Sequence, residues 1–230
     1  EQVRTQCGMF DLSHMGEFEI SGEGADKAVR RLITNDSLKL VDGQILYTPM
    51  CYDKGTIVDD LLVYRYSKDK WMLVVNAANV DKDEEWVKKQ LPDNLTFINR
   101  SDEVSLIALQ GPEAAAVLGA FVPVDEIEPF HFIETQISEH HVLVSRTGYT
   151  GEDGFELYTG AQEAQALWDI FIRDERVKPI GLGARDTLRF EAKLMLYGND
   201  IDDTTTPLEA GLGWTDKLDG ADFICKEVLV

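Results

Sequence analysis

Basic residues are scarce in this chain. Twenty-two lysines and arginines face 42 aspartates and glutamates, giving a formal net charge of −20 over 230 residues. A field of that sign repels nucleic acid and anionic lipid, so neither nucleic acid nor membrane is an expected partner. A small anion would need a local cluster of arginines. Cysteine is also sparse: Cys7, Cys51 and Cys225 are odd in number, far apart and without CxxC spacing. This argues against a disulfide or zinc framework and fits a reducing compartment. No apolar run reaches the ~18 residues a membrane helix needs, and no signal peptide is visible. The four histidines (His14, His131, His140, His141) form no HExxH or other metal pattern, so no metal is expected. Nucleophile-elbow, P-loop and GxGxxG fingerprints are absent, which leaves covalent serine or cysteine chemistry without support.

What is present is an ordinary globular composition, 44% hydrophobic and 28% charged. At this length roughly 70–75% of the unfolded surface can be buried, enough for one large domain or two small ones without a staple. The densest signal is Ser145 to Tyr158, SRTGYTGEDGFELY, where Gly148, Gly151 and Gly154 alternate with Tyr149, Thr150, Glu152 and Asp153. Such glycines permit sharp turns and close approach to a ligand. In the strand that follows, Phe155 and Leu157 pack inward and Glu156 points to the other face. An ordinary glycine-rich hairpin with a solvated acidic tip fits the same stretch.

Along the chain, Glu17–Ser21 alternates like a half-buried strand, and Gly22 and Gly24 break it before a helix through Ala25, Val29 and Leu32. Strands are expected over 46–51, 57–66 and 71–76, a helix over about 80–91, and a short strand at Phe97-Ile98. The pattern then restarts with a strand over 104–109, and Gly111-Pro112-Glu113-Ala114 opens a helix much as Gly22-Glu23-Gly24-Ala25 does. Strands near 130–137, 142–145 and 155–158 and a helix over 162–172 follow. Two related α+β units result, each a mostly antiparallel sheet with helices packed on one face. The expected division is 1–100, 101–210 with the glycine-rich loop, and 211–230 as the start of a link. Gly181–Tyr197 reads as one further helix, and Lys226–Val230 as a tail without an element of its own.

Asp59-Asp60 interrupts an apolar strand. Neighbouring strand residues face opposite ways, so one of the two is expected to be partly buried, with its pKa raised by desolvation. A solvated strand end is the alternative. Arg185 is a candidate anion clamp, against an ion pair with Asp186 or Glu191.

Taken in order, GMFDLSHMGEFEI, LITND, IVDDLLVY, VVNAANVDKD, ALQGPEA, SRTGYTGEDGFEL, GLGARDTLRFEA, LYGNDID and TPLEAGLGW resemble the aminomethyltransferase (T-protein) family of the glycine cleavage system along the whole chain. The resemblance implies a tetrahydrofolate-dependent enzyme. It would take an aminomethyl group from the lipoyl arm of a partner, the lipoylated H-protein, release ammonia and form 5,10-methylenetetrahydrofolate. It implies Asp60 as the catalytic carboxyl, Glu156 on the pterin ring, Tyr149 and Arg185 in the substrate site, and Asn76, Tyr47 and Tyr197 lining the pocket. It also implies a fragment, with the family's first residues and its C-terminal barrel missing. A bacterial cytoplasm is the expected compartment, with the mitochondrial matrix as alternative. Two departures stand out: Thr56 follows Gly55 where a second glycine is usual, and Cys225 stands where a glycine is expected. Alternatives are a folate-binding relative in iron–sulfur maintenance, whose KGCYxGQE-type motif is replaced here by GLGARDTLRFEA, a folate-dependent demethylase, and a non-catalytic fragment.

Overall fold

The computed structural model describes Glu1–Val230. It opens with α1 (Gln2–Thr5), β1 (Cys7–Asp11), β2 (Gly16–Ser21) and α2 (Ala25–Leu32). A meander of β3 (Ile45–Cys51), β4 (Ile57–Ser67) and β5 (Lys70–Val75) leads to α3 (Val80–Gln90) and β6 (Thr96–Asn99). Then come β7 (Val104–Gln110), α4 (Ala114–Leu118), β8 (Phe132–Ile137), β9 (His140–Ser145), β10 (Gly154–Gly160), α5 (Ala164–Phe171) and β11 (Val177–Pro179). The chain ends with α6 (Leu182–Glu191) and α7 (Lys226–Leu229).

Two sheets form, in the orders β3-β4-β5-β2-β6 and β8-β9-β10-β7-β1-β11. The first is antiparallel throughout, and in the second only β1 and β11 run parallel. Replacing β2 to β6 by β7 to β11 turns one order into the other, except that β1 is inserted between β7 and β11. The expected α+β fold of two related units is therefore present, and the repeat extends to the turns. Gly22 (φ 124°) and Gly111 (φ 128°) both adopt a conformation that favours glycine. Each carbonyl then accepts a bond from the residue three further on, Ala25 N–H at 3.1 Å and Ala114 N–H at 2.9 Å, where α2 and α4 begin.

Each sheet buries one face under its helices. Val29 and Leu32 of α2 and Val87 of α3 close over Phe18, Ile20, Trp71 and Leu73. Val117 and Leu118 of α4, with Leu167 and Phe171 of α5, close over Leu109, Val144, Phe155 and Leu157. Full burial of each such side chain contributes roughly 1.5–3 kcal/mol.

The compact units are interleaved in sequence: Glu1–His14 with Ser101–Leu194, and Met15–Arg100 with Met195–Val230. This differs from the contiguous 1–100, 101–210 and 211–230 division read from the sequence, for two physical reasons. β1 completes the ladder between β7 and β11, so residues 1–14 belong with the later strands. Residues 195–230 bond back to β4 and to the end of α2: Ile57 N–H donates to Thr205 O (2.9 Å), Lys217 N–H to Thr34 O (3.0 Å) and Ile224 N–H to Arg31 O (2.9 Å). The helix expected over Gly181–Tyr197 stops at Glu191, because Lys193 takes a left-handed conformation (φ 58°) and Tyr197 bridges Ile201 instead. The terminal α7 forms where the sequence pattern suggests only a tail.

Cys225, at the start of α7, has φ 70° and ψ 3°. The backbone there keeps the left-handed conformation that suits the glycine expected from the resemblance. Its thiol touches that of Cys51, which sits at a register shift in β3. A left-handed non-glycine residue costs roughly 1–2 kcal/mol. Cys225→Gly is therefore expected to unfold within about 1 kcal/mol of the native chain, relief of strain offsetting lost packing. Cys225→Val, β-branched at the same φ, should be clearly less stable in urea. Equal losses for both substitutions would show that packing, not backbone conformation, decides this position.

Candidate functional site

In the unit formed by Met15–Arg100 and Met195–Val230, β4 carries both aspartates into the protein. Asp59 is 0% and Asp60 8% exposed, so both are buried, where the strand pattern required only one to be. Asp60 lies opposite Pro49 on β3. Tyr47, two residues before Pro49, therefore shares its face and donates its hydroxyl to Asp60 Oδ2 at 2.8 Å. On the other side, Leu62 pairs with Val74, which puts Asn76 level with Asp60 just past the end of β5. Asn76 Nδ2 reaches Asp60 Oδ1 (2.9 Å), Asp60 O (2.9 Å) and Asp59 Oδ1 (2.8 Å), while its backbone N–H donates to Asp59 Oδ2 (3.0 Å). Asn79 Nδ2 adds a bond to Asp59 Oδ1 at 2.6 Å.

Burial, and then the neighbouring Asp59, push the Asp60 carboxyl up to about 7, against the bonds from Tyr47 and Asn76 that hold it down. A carboxyl so placed can exchange a proton near neutrality or remain charged to face a cation. Tyr47, Asn76 and Asp60 are thus brought together. Tyr197 is in the same unit but does not join them: its hydroxyl donates to Ile57 O (3.2 Å), and Lys82 Nζ sits 4.0 Å from its ring centroid. Trp214, 62% exposed, stacks on Tyr47 with ring centroids 6.0 Å apart.

In the unit formed by Glu1–His14 and Ser101–Leu194, Glu156 on β10 is 5% exposed. Phe155 and Leu157 beside it enter the core, as strand alternation requires. Thr147 donates its hydroxyl to Glu156 Oε2 and is itself held by Ser145 Oγ at 2.8 Å. Burial raises the Glu156 carboxyl, and the Arg185 guanidinium and the Thr147 bond oppose that rise. Arg185 lies over the Tyr149 ring, 4.7 Å from its centroid. It makes no ion pair with Asp186, which instead binds Arg189 at 2.8 Å, or with Glu191, which binds Arg4 at 2.8 Å. Its Nη1 is buried without a hydrogen-bond partner, a donor held ready for an oxygen that the chain itself does not supply.

The glycines of the loop have an internal reason to be there. A Cβ on Gly148 would lie 2.0 Å from Gln110 Oε1, and one on Gly154 2.5 Å from Gln110 Nε2. Gln110 fills the underside of the loop, donating to Thr147 O (3.0 Å) and accepting from Thr150 Oγ1 (2.8 Å). Close approach is real, but these two glycines approach Gln110 and not a ligand. Gln110, Thr147, Asn79 and Trp214 do not stand out in the sequence. ALQGP and the NAAN of VVNAANVDKD are visible as motifs, but which side chains their polar residues meet depends on strand register.

A family model described as the GCVT N-terminal domain matches residues 1–220. The chain belongs to the GCVT N-terminal domain family. An aminomethyltransferase of Halalkalibacterium halodurans is 51% identical over 235 residues, which span 100% of this chain and 64% of that protein. One of Halothermothrix orenii is 48% identical, over 99% of this chain and 65% of the relative. The chain thus spans a little under two thirds of the length of these relatives. The crystal structure of glycine cleavage system aminomethyltransferase T from Bartonella henselae superposes with a TM-score of 0.92 at 35% identity, covering 99% of this chain and 63% of that one. A heterotetrameric sarcosine oxidase from Corynebacterium sp. U-96 shares the fold alone, with a TM-score of 0.53 at 17% identity over 82% of this chain and 90% of that one. No helix in this GCVT-family chain is long and apolar enough to cross a membrane.

The raised Asp60 carboxyl links folding to pH. The folded state holds this proton more tightly than the unfolded chain, whose aspartates titrate near ~3.9. The stabilisation is therefore full below that value and is lost as the pH rises through about 7. Asp60→Asn has no such proton, and Tyr47 can turn its hydroxyl to accept from the new amide. Its stability relative to wild type should rise between pH 5 and pH 8 by up to a few kcal/mol, since a tenfold difference in proton affinity corresponds to about 1.4 kcal/mol. A difference that stays constant with pH would contradict the burial argument.

Proposed function

We propose that this chain is the folate-handling part of an aminomethyltransferase of the glycine cleavage system, working in the cytoplasm of a bacterium. In the reaction, an aminomethyl carbon leaves the sulfur of a lipoyl arm on the H-protein and loses its ammonia. It bonds to two nitrogens of tetrahydrofolate, and the displaced folate protons leave with ammonia and the freed thiol. The observation that carries the reading is Asp60, a buried carboxyl poised near 7 and held by Tyr47 and Asn76, in a chain that aminomethyltransferases match from end to end.

Asp60 stabilises the positive charge that develops as the carbon is transferred, or takes up a folate N–H proton. Tyr47 and Asn76 hold its two oxygens and so define where that charge is met. Glu156 is suited to the N–H donors of a pterin ring. The unpartnered Arg185 Nη1 and the Tyr149 ring beneath it suit an anionic or carbonyl oxygen of the substrate. These two groups are the test of fit, and tetrahydrofolate has both complements. Tyr197, tied to Ile57 O, has a supporting place beside Lys82.

Calorimetric titration with tetrahydrofolate, on this chain and on the whole protein, tests the reading. Glu156→Ala is expected to weaken binding by more than the ~1 kcal/mol of one neutral hydrogen bond. Asp60→Asn should keep most of the binding but lose transfer from aminomethyl-loaded H-protein by about 100-fold or more. The limb near pH 7 in the wild-type rate profile should disappear with it. Absence of tetrahydrofolate binding by the whole protein would end the proposal.

A further inference from the structure

Behind Asp60 lies a third carboxyl that the proposed reaction does not use. Asp83, on the first turns of α3, is 0% exposed. Neither of its oxygens receives a hydrogen bond from an N–H or hydroxyl donor. The Lys82 ammonium is 3.9 Å away and donates its bond to Val58 O. The side chain that Asp83 meets is the carboxyl of Asp59. Two carboxyls in contact inside a protein cannot both be anions, so one of them holds a proton and donates it to the other. Asp59 already accepts from Asn76 N–H, Asn76 Nδ2 and Asn79 Nδ2. Asp83 has no donor of this kind, so the proton belongs on Asp83.

Resting on the aminomethyltransferase reading, we propose that Asp83 is a positioning residue: its carboxylic acid donates to Asp59, and Asp59 in turn fixes Asn76, which holds Asp60. The links through Asn76 are short. Asn76 Nδ2 lies within 2.9 Å of both Asp59 Oδ1 and Asp60 Oδ1, so a shift of Asp59 moves the amide that orients Asp60. The proton also limits the charge of the cluster, since three buried aspartates would otherwise repel one another. Burial and then Asp59 push the Asp83 carboxyl up to about 10, with Asp60 adding to the rise and Lys82 opposing it. Tyr52, Tyr197 and Asp203 also lie in reach of this field: burial and then Asp203, Asp83 and Asp59 raise the Tyr52 phenol, and burial and then Tyr52, Asp203, Asp59 and Asp83 raise that of Tyr197.

The test is a carbon-13 titration of the side-chain carboxyls, with the Asn76 side-chain amide followed by nitrogen-15, in wild type, Asp83→Asn and Asp83→Leu. Asp83 should remain protonated through neutral pH. Asp83→Asn, which keeps a donor to Asp59 and has no proton to lose, should leave the Asn76 amide and the Asp60 midpoint nearly in place. Asp83→Leu, of similar size without a donor, should displace the Asn76 signal and move the Asp60 midpoint by about one pH unit or more. An Asp83 that titrates like an exposed carboxyl would overturn the proposal, as would an Asp60 midpoint unmoved in Asp83→Leu. If the leucine variant fails to fold, the wild-type titration and the asparagine variant still decide. None of these signals requires folate. Failure of the enzymatic reading would appear separately, as a whole wild-type protein that does not bind tetrahydrofolate while the Asp83 proton is still observed.

Discussion

Placing Asp59 and Asp60 side by side inside an antiparallel sheet costs several kcal/mol for each charge that is not compensated. Much of the surrounding structure reduces that cost. The β3–β4 register brings the Tyr47 hydroxyl to Asp60, and the end of β5 brings Asn76 level with it. Asn79, just before α3, closes on Asp59. A shift of one residue in either ladder would turn these donors to the opposite face. The apolar residues of the same strands, among them Leu61, Val63, Leu73 and Val75, hold the register that the polar network needs. Packing and chemistry therefore depend on the same hydrogen-bonded ladders.

The duplicated architecture places different chemistry at different points of one scaffold. In the five-stranded sheet the paired aspartates occupy β4, the middle of the meander. In the six-stranded sheet the corresponding strand, β9, carries no carboxyl, and Glu156 sits on β10 next to it. The inserted β1 is the main topological asymmetry. It provides β11 with a parallel partner and ties the first residues to the unit formed by the last strands. Gly111, at the repeated turn, shows how tightly this insertion is packed. A Cβ there would come within 2.3 Å of Gln6 O and 2.6 Å of Val3 O. A Cβ on its counterpart Gly22 would meet nothing nearer than the Leu95 side chain, at 3.1 Å.

Local pattern made much of this legible. Alternation placed Phe155 and Leu157 inward and Glu156 apart from them. The two aspartates in an apolar strand pointed to a desolvated carboxyl, and the repeated glycine turn pointed to two related α+β units. What remained hidden depends on partners far away in the chain. Gln110 and Gly148 are 38 positions apart, and nothing in the spacing of SRTGYTGEDGFELY shows that its glycines make room for a glutamine side chain. Asp83 reads as one charge among many in DKDEEWVKKQ, yet it is wholly buried, because its turn of α3 faces the aspartates of β4. The interleaving of the units escaped for the same reason. Strand order is a long-range property, and β1 sits between β7 and β11, its Gly8 opposite Gln110 and its Cys7 opposite Val177.

Asp60, Asp83 and Glu156 are buried carboxyls raised by desolvation, and what separates them is what faces each one. Asp60 has two donors from Tyr47 and Asn76 set against a neighbouring aspartate, and settles near 7. Asp83 has no hydrogen-bond donor, has Asp59 and then Asp60 raising it with only Lys82 opposed, and is pushed to about 10. Glu156 has the Arg185 guanidinium and the Thr147 hydroxyl to oppose its burial. Acid–base roles are assigned by environments that move similar groups apart, and here Asp83 lies above Asp60 because it lacks the donors that hold Asp60 down. A carboxyl kept neutral by its neighbours can donate a hydrogen bond, as Asp83 does in the proposal above. One balanced near neutrality can exchange a proton with substrate, and one beside a guanidinium is suited to binding. The strongly acidic surface does not decide any of this, since exposed charges are screened within about 10 Å at 0.1 M salt. The function of the fold rests on the few carboxyls it removes from water.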